Sequence, residues 1–193
     1  MSGPATDVVA MQLQSAMQPT DGAIRRLATS DREALAALFE SIAADPAAGR
    51  FHPHPFTAQQ AARIAGYQGR DVYLGLFAGG RIVGYGMLRG WDDGFPVPSL
   101  GIYLHPEARG RRLAGKLMQA LHQEALGQGA ERIRLKVYAD NDVAVRLYRR
   151  LGYVFTDEEG GQRVGYLALA PQADPRPPTA ADPATNLQPG RSR

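Results

Sequence analysis

The chain has 193 residues, 44% hydrophobic and 21% charged, enough for one core of ordinary size and too few for two comfortable domains. It contains no cysteine, which excludes disulfide bonds and thiolate metal sites, and its four histidines lack the spacing of a zinc motif, so we expect no metal. It has no apolar run of ~18 residues and no signal-peptide pattern at its start, which predicts a cytoplasmic protein without membrane association.

The formal net charge is +3, and the basic residues concentrate in two stretches, 109–116 and 146–150. A local cluster of cations suits a phosphorylated small ligand better than a long nucleic acid. We therefore expect no nucleic-acid partner.

One domain is predicted over residues 21–170. Residues 1–20 are rich in Gln, Ala and Met without strand alternation, which indicates a flexible arm, with a short irregular helix as the alternative. Residues 171–193 hold six of the 14 prolines and a single leucine, too little apolar surface to offset the entropy of ordering. That tail is predicted to be disordered.

The first half of the domain predicts a strand at 23–28 and then two helices. A capping box from Ser30 to Glu33 opens the first helix, and Thr57 with Gln60 opens a second, shorter one. Two apolar runs joined by Gly79 and Gly80 then predict a β-hairpin.

The second half predicts a strand at 99–106, a helix from about Gly110 to Leu126, and a fifth strand at 132–138 that alternates strictly. A helix through 143–151 closes at Gly152, and two more strands follow. Antiparallel hairpins come first and a β-α-β unit comes later, so the order predicts a mixed α/β fold.

The segment HPEARGRRLAGKLM, residues 105–118, carries three arginines where a strand gives way to a helix. A helix N-terminus presents unpaired N–H groups and the positive end of the helix dipole, which together attract anions. The junction is either an anion site or a solvated basic cap.

The segment ADNDVAVRLYRRLGY, residues 139–153, places Asn141 at the end of the fifth strand and Tyr148 seven residues later on one face of the next helix. A phenol with a pKa near ~10 can protonate a departing thiolate with a pKa near ~8.5. Taken alone, Tyr148 is also compatible with a core contact.

Together the two segments resemble the GNAT acetyltransferase superfamily over roughly residues 22–169. The resemblance implies a GNAT fold, in which a mixed, mostly antiparallel sheet of about six to seven strands is flanked by about four helices. It also implies a splay after the fourth strand that holds acetyl-CoA.

The resemblance assigns a role to each motif residue. The family's pyrophosphate loop is matched by Arg109, Gly110, Arg111, Arg112, Leu113 and Ala114. The strand that pairs with the pantetheine arm and polarises the thioester carbonyl is matched by Ile102, Tyr103 and Leu104. Asn141 matches the family's cofactor-contacting asparagine, and Tyr148 matches its general acid.

Arg112 stands where the family usually has a glycine. An arginine is strained there if the position requires a positive φ, and costs little if the position lies in the first turn of the helix. We expect the second arrangement.

Acetyl transfer also needs a base that removes the proton of the acceptor ammonium group. The fourth strand has no carboxylate, and Lys136 stands where relatives that acetylate protein N-termini often have one. The remaining candidates lie in two loops that line the acceptor side in the family, His52 and His54 in FHPHPF, and Asp92 and Asp93 in GWDDGF. We take His54 as the catalytic base among them. The alternative for the histidines is a structural turn.

Trp91, Asp92 and Asp93 form a predicted acidic and aromatic lip for a polar cation such as an amino sugar. The leading function implied by the resemblance is acetyl transfer from acetyl-CoA to a small-molecule primary amine. We expect the transfer to be direct, because the chain has no cysteine that could be acylated. The alternatives are a protein lysine or N-terminal acetyltransferase and a non-catalytic acyl-CoA-binding module. Exposed edge strands are compatible with a homodimer.

Overall fold

The computed structural model describes residues 22–169. The predicted N-terminal arm, 1–20, and the predicted tail, 171–193, lie outside the described residues. Within 22–169 no helix combines the length and the apolar character needed to cross a membrane.

The described chain contains seven strands and four α-helices. In chain order they are β1 (Ala23–Arg26), α1 (Arg32–Ala44), α2 (Ala58–Ala65), β2 (Val72–Ala78), β3 (Arg81–Arg89), β4 (Ser99–Leu104), α3 (Leu113–Gly127), β5 (Arg132–Tyr138), α4 (Asp142–Arg150), β6 (Val154–Glu159) and β7 (Gln162–Ala168).

The strands form one sheet in the order β1-β2-β3-β4-β5-β7-β6. Every neighbouring pair is antiparallel except β4 and β5, which run parallel. Their pairing is confined to Ser99 with Arg134 and Leu100 with Leu135, after which the two strands part. The predicted mixed fold, its strand and helix numbers, and the splay after the fourth strand are confirmed.

Each face of the sheet is covered by one pair of helices. On one face α3 and α4 bury Leu117, Leu121 and Tyr148 against Leu135 of β5. On the other face α1 and α2 bury Phe39 and Ile64 against β3. The alternation of side chains along β4 therefore sends neighbouring residues to opposite cores.

Of the two helix starts predicted in the first half of the domain, one differs from the structure. The first capping contact is made by Asp31, whose carboxylate accepts from the N–H group of Ala28 at 2.8 Å, and α1 begins only at Arg32. The predicted Ser30 to Glu33 box is therefore wrong, because a short 3₁₀ turn precedes the helix. The second start is confirmed, since Thr57 accepts from the N–H group of Gln60 at 3.2 Å.

Candidate active site

A cleft of about 440 Å³ opens where β4 and β5 part, and we call it the splay cleft. Its walls come from β4, β5 and the first two turns of α4, with Phe51 from the α1 side. The cleft exists because only two residue pairs join β4 to β5, so the rest of β4 keeps one edge open.

The open edge of β4 carries unpaired backbone groups. His105 donates its N–H to the carbonyl of Val83 at 2.9 Å, which continues the ladder between β3 and β4. Since backbone groups alternate between the two neighbours of a strand, Ile102 and Leu104 direct theirs towards the splay cleft. Two N–H groups, two residues apart along β4, are thus available to separate acceptor atoms of a ligand in the cleft.

The loop between β4 and α3 is built around two residues with positive φ. Gly110 has φ of 74°, and Arg112 has φ of 60° and is the N-cap of α3. The expectation that Arg112 lies in the first helical turn is therefore wrong. The helix begins at Leu113, three residues later than predicted, because a left-handed residue cannot continue a right-handed helix.

Arg112 is the single non-glycine residue with positive φ within residues 22–169. A side chain in this region costs about 1 kcal/mol, which explains why a glycine is usual at the position. No side chain caps α3, so the first N–H groups of this helix stay available to an anion.

Arg109 is held by protein groups on the same side of the loop. Its Nε donates to the carbonyl of Leu104 at 3.1 Å and its Nη2 to the carboxylate of Asp45 at 2.8 Å. Tyr103 donates its hydroxyl to the same carboxylate oxygen at 3.0 Å. Arg109 lines the splay cleft, and these contacts fix the end of β4 against the end of α1.

Asn141 caps α4 and does not belong to the fifth strand, which ends at Tyr138. Its side-chain oxygen accepts from the N–H group of Ala144 at 3.2 Å. This capping bond uses only the oxygen of the Asn141 amide. Because Asn141 lines the splay cleft, its NH₂ group is available to a ligand there.

Tyr148 lies on α4, two turns beyond Asn141, and also lines the splay cleft. Its side chain is 8% exposed, and this burial raises the pKa of its hydroxyl group to about 12. The phenol therefore stays protonated at neutral pH and can act only as a proton donor.

A buried tyrosine and a half-buried histidine stand behind Tyr148. The ring of Tyr153 lies 5.8 Å from that of Tyr148, and the hydroxyl of Tyr153 is 3.0 Å from Nε2 of His122 on α3. Burial lowers the pKa of His122 to about 4, so this imidazole is neutral at physiological pH. A neutral ring nitrogen can accept the hydroxyl proton of Tyr153, which fixes the wall against which Tyr148 packs.

A second cavity, of about 680 Å³, lies next to the splay cleft, and we call it the arginine cavity. The two share Leu100, at the point where β4 and β5 begin to part. Its polar side chains include Arg89, Arg132, Arg134, Ser99, Asp93 and Tyr166.

The structure does not bring the predicted histidines to either cavity. His54 is 3.0 Å from the hydroxyl of Tyr85 through Nε2 and 2.9 Å from the carbonyl of Pro55 through Nδ1. The carbonyl requires a proton on Nδ1, so Nε2 accepts from Tyr85 and has no lone pair left for an ammonium group. His52 is exposed and bonds the carbonyl of Gly49.

The predicted acidic and aromatic lip is also not formed. Trp91 is 5% exposed and belongs to the core between the sheet and α3. Asp92 accepts from the N–H group of Arg70 at 3.0 Å, which ties it to the preceding loop. Of the three predicted lip residues, Asp93 alone lines the arginine cavity. Burial of the indole removes the aromatic surface that a cation needs.

Sequence reasoning missed the arginines on β3 and β5. Arg89 and Arg134 are 45 residues apart in the chain and meet only through the register of β3, β4 and β5. A weak signal was present, because Arg134 occupies a strand position that alternates with buried Ile133 and Leu135 and so faces the other side of the sheet.

A sheet that parts between its two parallel strands, with an open strand edge facing an uncapped, arginine-flanked helix N-terminus, defines a site for an extended ligand that carries phosphates. The family model described as "Acetyltransferase (GNAT) family" matches residues 35–153, more than half of the chain. The chain belongs to this family and is an acetyl-CoA-dependent N-acetyltransferase.

Solved structures show the same fold. A GNAT-family acetyltransferase of Streptococcus pneumoniae is 17% identical with a TM-score of 0.67, covering 77% of this chain and 99% of its own. A Salmonella typhimurium protein, yncA, solved with its cofactor acetyl-CoA, is 21% identical with a TM-score of 0.63, over 81% of this chain and 99% of its own. A phosphinothricin acetyltransferase of Sinorhizobium meliloti, in complex with acetyl-CoA, is 18% identical with a TM-score of 0.64, over 83% and 95%.

The residues of the splay cleft fit acetyl-CoA. The open edge of β4 can pair with the amides of an extended pantetheine arm, as one strand pairs with another. Gly110 has open space where a side chain would begin, so a phosphate can approach the loop backbone closely. Arg111 and Arg112 are exposed beside it and add positive charge.

Proposed function

We propose that the protein transfers acetyl from acetyl-CoA directly to a primary amine of a small molecule. The observation that carries this proposal is the arginine cavity, which adjoins the splay cleft at Leu100. Its volume of about 680 Å³ lies within the ~300–1,000 Å³ typical of small-molecule sites. An acceptor held there approaches the thioester from the side opposite the cofactor loop.

The thioester of acetyl-CoA supplies the activated acetyl group. In the proposed arrangement the N–H group of Ile102 donates a hydrogen bond to its carbonyl oxygen and stabilises the negative charge that develops there, while the N–H group of Leu104, nearer the cofactor loop, pairs with the pantetheine arm. The loop from Arg109 to Ala114, with the N–H groups of α3, holds the pyrophosphate. The NH₂ group of Asn141 contacts the pantetheine arm.

Tyr148 is the proposed general acid. Its hydroxyl donates to the departing sulfur, whose conjugate acid has a pKa near ~8.5. Because burial raises the pKa of Tyr148 to about 12, complete proton transfer is less favourable than from an ordinary phenol, by about 3 kcal/mol at most. A strong hydrogen bond from the phenol to the thiolate gives much of the same stabilisation without complete transfer.

The acceptor attacks the thioester carbon directly in this proposal, since the chain has no cysteine that could carry the acetyl group. The amine must be neutral when it attacks. The carboxylate of Asp93 lines the arginine cavity and is the proposed group that receives the ammonium proton, directly or through water.

The test is a panel of small primary amines set against a panel of peptides with free N-termini and lysines, assayed with acetyl-CoA by release of free thiol. We expect turnover on small amines at rates well above those on peptides. Turnover on peptides alone would show a protein acetyltransferase. Binding of acetyl-CoA without turnover on either panel would show a non-catalytic module.

A further inference from the structure

We propose that the acceptor amine carries an anionic oxygen group, which Arg89 and Arg134 bind across β4. This inference rests on the proposed function and names the substrate class of the same site. It replaces the cationic amino sugar, for which the lip formed by Trp91, Asp92 and Asp93 was predicted.

The first observation is a row of facing residues across four strands. Arg89 of β3 is the register partner of Ser99 of β4, Ser99 is that of Arg134 of β5, and Arg134 is that of Tyr166 of β7. Register partners in a sheet point to the same face, and all four residues line the arginine cavity. Two guanidinium groups thus flank one serine hydroxyl, with their strands about 10 Å apart.

The second observation is the excess of positive charge. Arg89, Arg132 and Arg134 line the arginine cavity, whereas Asp93 is its single lining carboxylate among the described residues. Glu159 reaches Arg134 from β6, but it also binds Lys136 at 2.6 Å and so is shared between two cations. Like charges gathered around one cavity repel one another, and an anion bound between them would offset this repulsion.

The third observation is that Arg89 is incompletely satisfied by the protein. Its Nη1 donates to the carbonyl of Pro53 at 2.7 Å, which holds the side chain in the cavity wall. Its Nε is buried and has no hydrogen-bond partner within residues 22–169. An unsatisfied buried donor costs free energy. A ligand anion that rotates the guanidinium group and accepts a hydrogen bond from Nε would remove this cost.

The guanidinium groups of Arg89 and Arg134 favour a particular kind of anion. A planar guanidinium matches the two oxygens of a carboxylate or a phosphate with two parallel hydrogen bonds. Arg134 already lies 3.5 Å from the hydroxyl of Ser99 through Nη1, which leaves that hydroxyl positioned to donate to the same anion. An anion held at this row leaves the amine free to reach the thioester beyond Leu100.

The test compares acceptors that differ only in the anionic group. An α-amino acid is compared with its carboxamide, and an aminoalkyl phosphate with the corresponding amino alcohol, by kcat/KM from thiol release. We expect the anionic member of at least one pair to exceed its neutral partner by about tenfold or more, and the pair that shows this preference distinguishes carboxylate from phosphate. Equal or better turnover of the neutral members overturns the inference and leaves the proposed function intact.

Arg89→Gln and Arg134→Gln should raise KM for the anionic acceptor about tenfold and leave KM for acetyl-CoA unchanged. Arg134→Lys keeps the positive charge but loses the planar guanidinium group, so its KM for the anionic acceptor should lie between that of the wild type and that of Arg134→Gln. Melting temperatures report whether each variant is folded. Arg146→Gln is the matched control, because Arg146 is exposed on α4 and lines neither cavity. Unchanged KM in all three cavity variants overturns the inference.

Binding supplies a readout that needs no turnover. Calorimetry with the N-acetylated amino acid and its carboxamide should show tighter binding of the anion to the wild-type protein and a lost preference in Arg89→Gln. If no small amine is acetylated, this preference still decides the inference, while the proposed function fails on its own assay. Absence of the preference in both measurements overturns the inference.

Discussion

The splay cleft and the arginine cavity meet at Leu100, yet they present different kinds of groups to a ligand. The splay cleft offers backbone N–H groups of β4, the uncapped start of α3 and one buried phenol. The arginine cavity offers side chains from four strands. Recognition by the backbone depends on where strands and helices end, and recognition by side chains depends on register. The first kind can be shared by a whole family, while the second can be changed residue by residue to suit a different acceptor.

The largest expected effect falls on the chemical step alone. Tyr148→Phe removes the proposed acid and should lower kcat about 100-fold or more, while the dissociation constant of acetyl-CoA changes little. Steady-state kinetics and calorimetry with acetyl-CoA check the two halves of this statement. A kcat equal to that of the wild type would remove Tyr148 from the mechanism.

The boundary between the two sites is tested at Gly101. A Cβ at this position would lie 2.5 Å from Cε of Met87 and 3.2 Å from Cε2 of Phe51. The end of Met87 can move, and because Met87 lines the arginine cavity such a shift changes the shape of that cavity. Gly101→Ala should therefore lower kcat/KM for the acceptor about tenfold to 100-fold with a smaller effect on acetyl-CoA binding.

Gly127→Ala serves as the control for Gly101→Ala, because a Cβ at Gly127 meets nothing within 4 Å. An equal loss of acetyl-CoA binding and acceptor turnover in Gly101→Ala would mean that the two sites are not separable at this residue.

His122, behind Tyr148, makes the free energy of unfolding depend on pH. The pKa of His122 is about 4 in the folded protein and near 6.5 when unfolded, so the unfolded chain binds more protons between these values. The stabilisation is complete above pH 6.5 and is lost as the pH falls towards 4. Since His122 is only partly buried, we expect a loss of about 1–2 kcal/mol.

Urea unfolding of the wild type and of His122→Gln at several pH values measures this loss. Carboxylates titrate in both proteins, so the difference between their free energies of unfolding isolates His122. Parallel curves between pH 7 and pH 4 would contradict the assigned cause.

The smallest expected effect concerns the backbone of the cofactor loop. Arg112→Gly relieves about 1 kcal/mol of left-handed strain and loses a similar amount through the freer unfolded chain, so its stability should change little. Arg111→Gly removes a neighbouring cation from a residue without positive φ and should lose about 0.5–1 kcal/mol. Urea unfolding of the pair checks the difference, and equal losses would show that Arg112 is not strained.

The hairpin around Gly79 and Gly80, the cap at Thr57 and the order of strands and helices were predictable, because each depends on neighbours in the chain. The start of α3 was not, because an arginine carries no sign of the left-handed conformation that the loop imposes. The predicted lip failed for a related reason. Trp91 follows Gly90 at the end of β3, and whether its indole lies outside or against α3 depends on packing.

The sequence by itself determined the family and its donor, and it singled out Arg109, Asn141 and Tyr148, which line the splay cleft, because an arginine after a strand and a tyrosine two turns along the next helix are local patterns. Only the tertiary structure decided what lines the proposed acceptor site. His54 turned out to be bonded to Tyr85, Trp91 to be core, and Arg89 and Arg134 to stand on either side of Ser99. Those relations are set by strand register and by the packing of α1 and α3 on the sheet, which act between residues far apart in the chain.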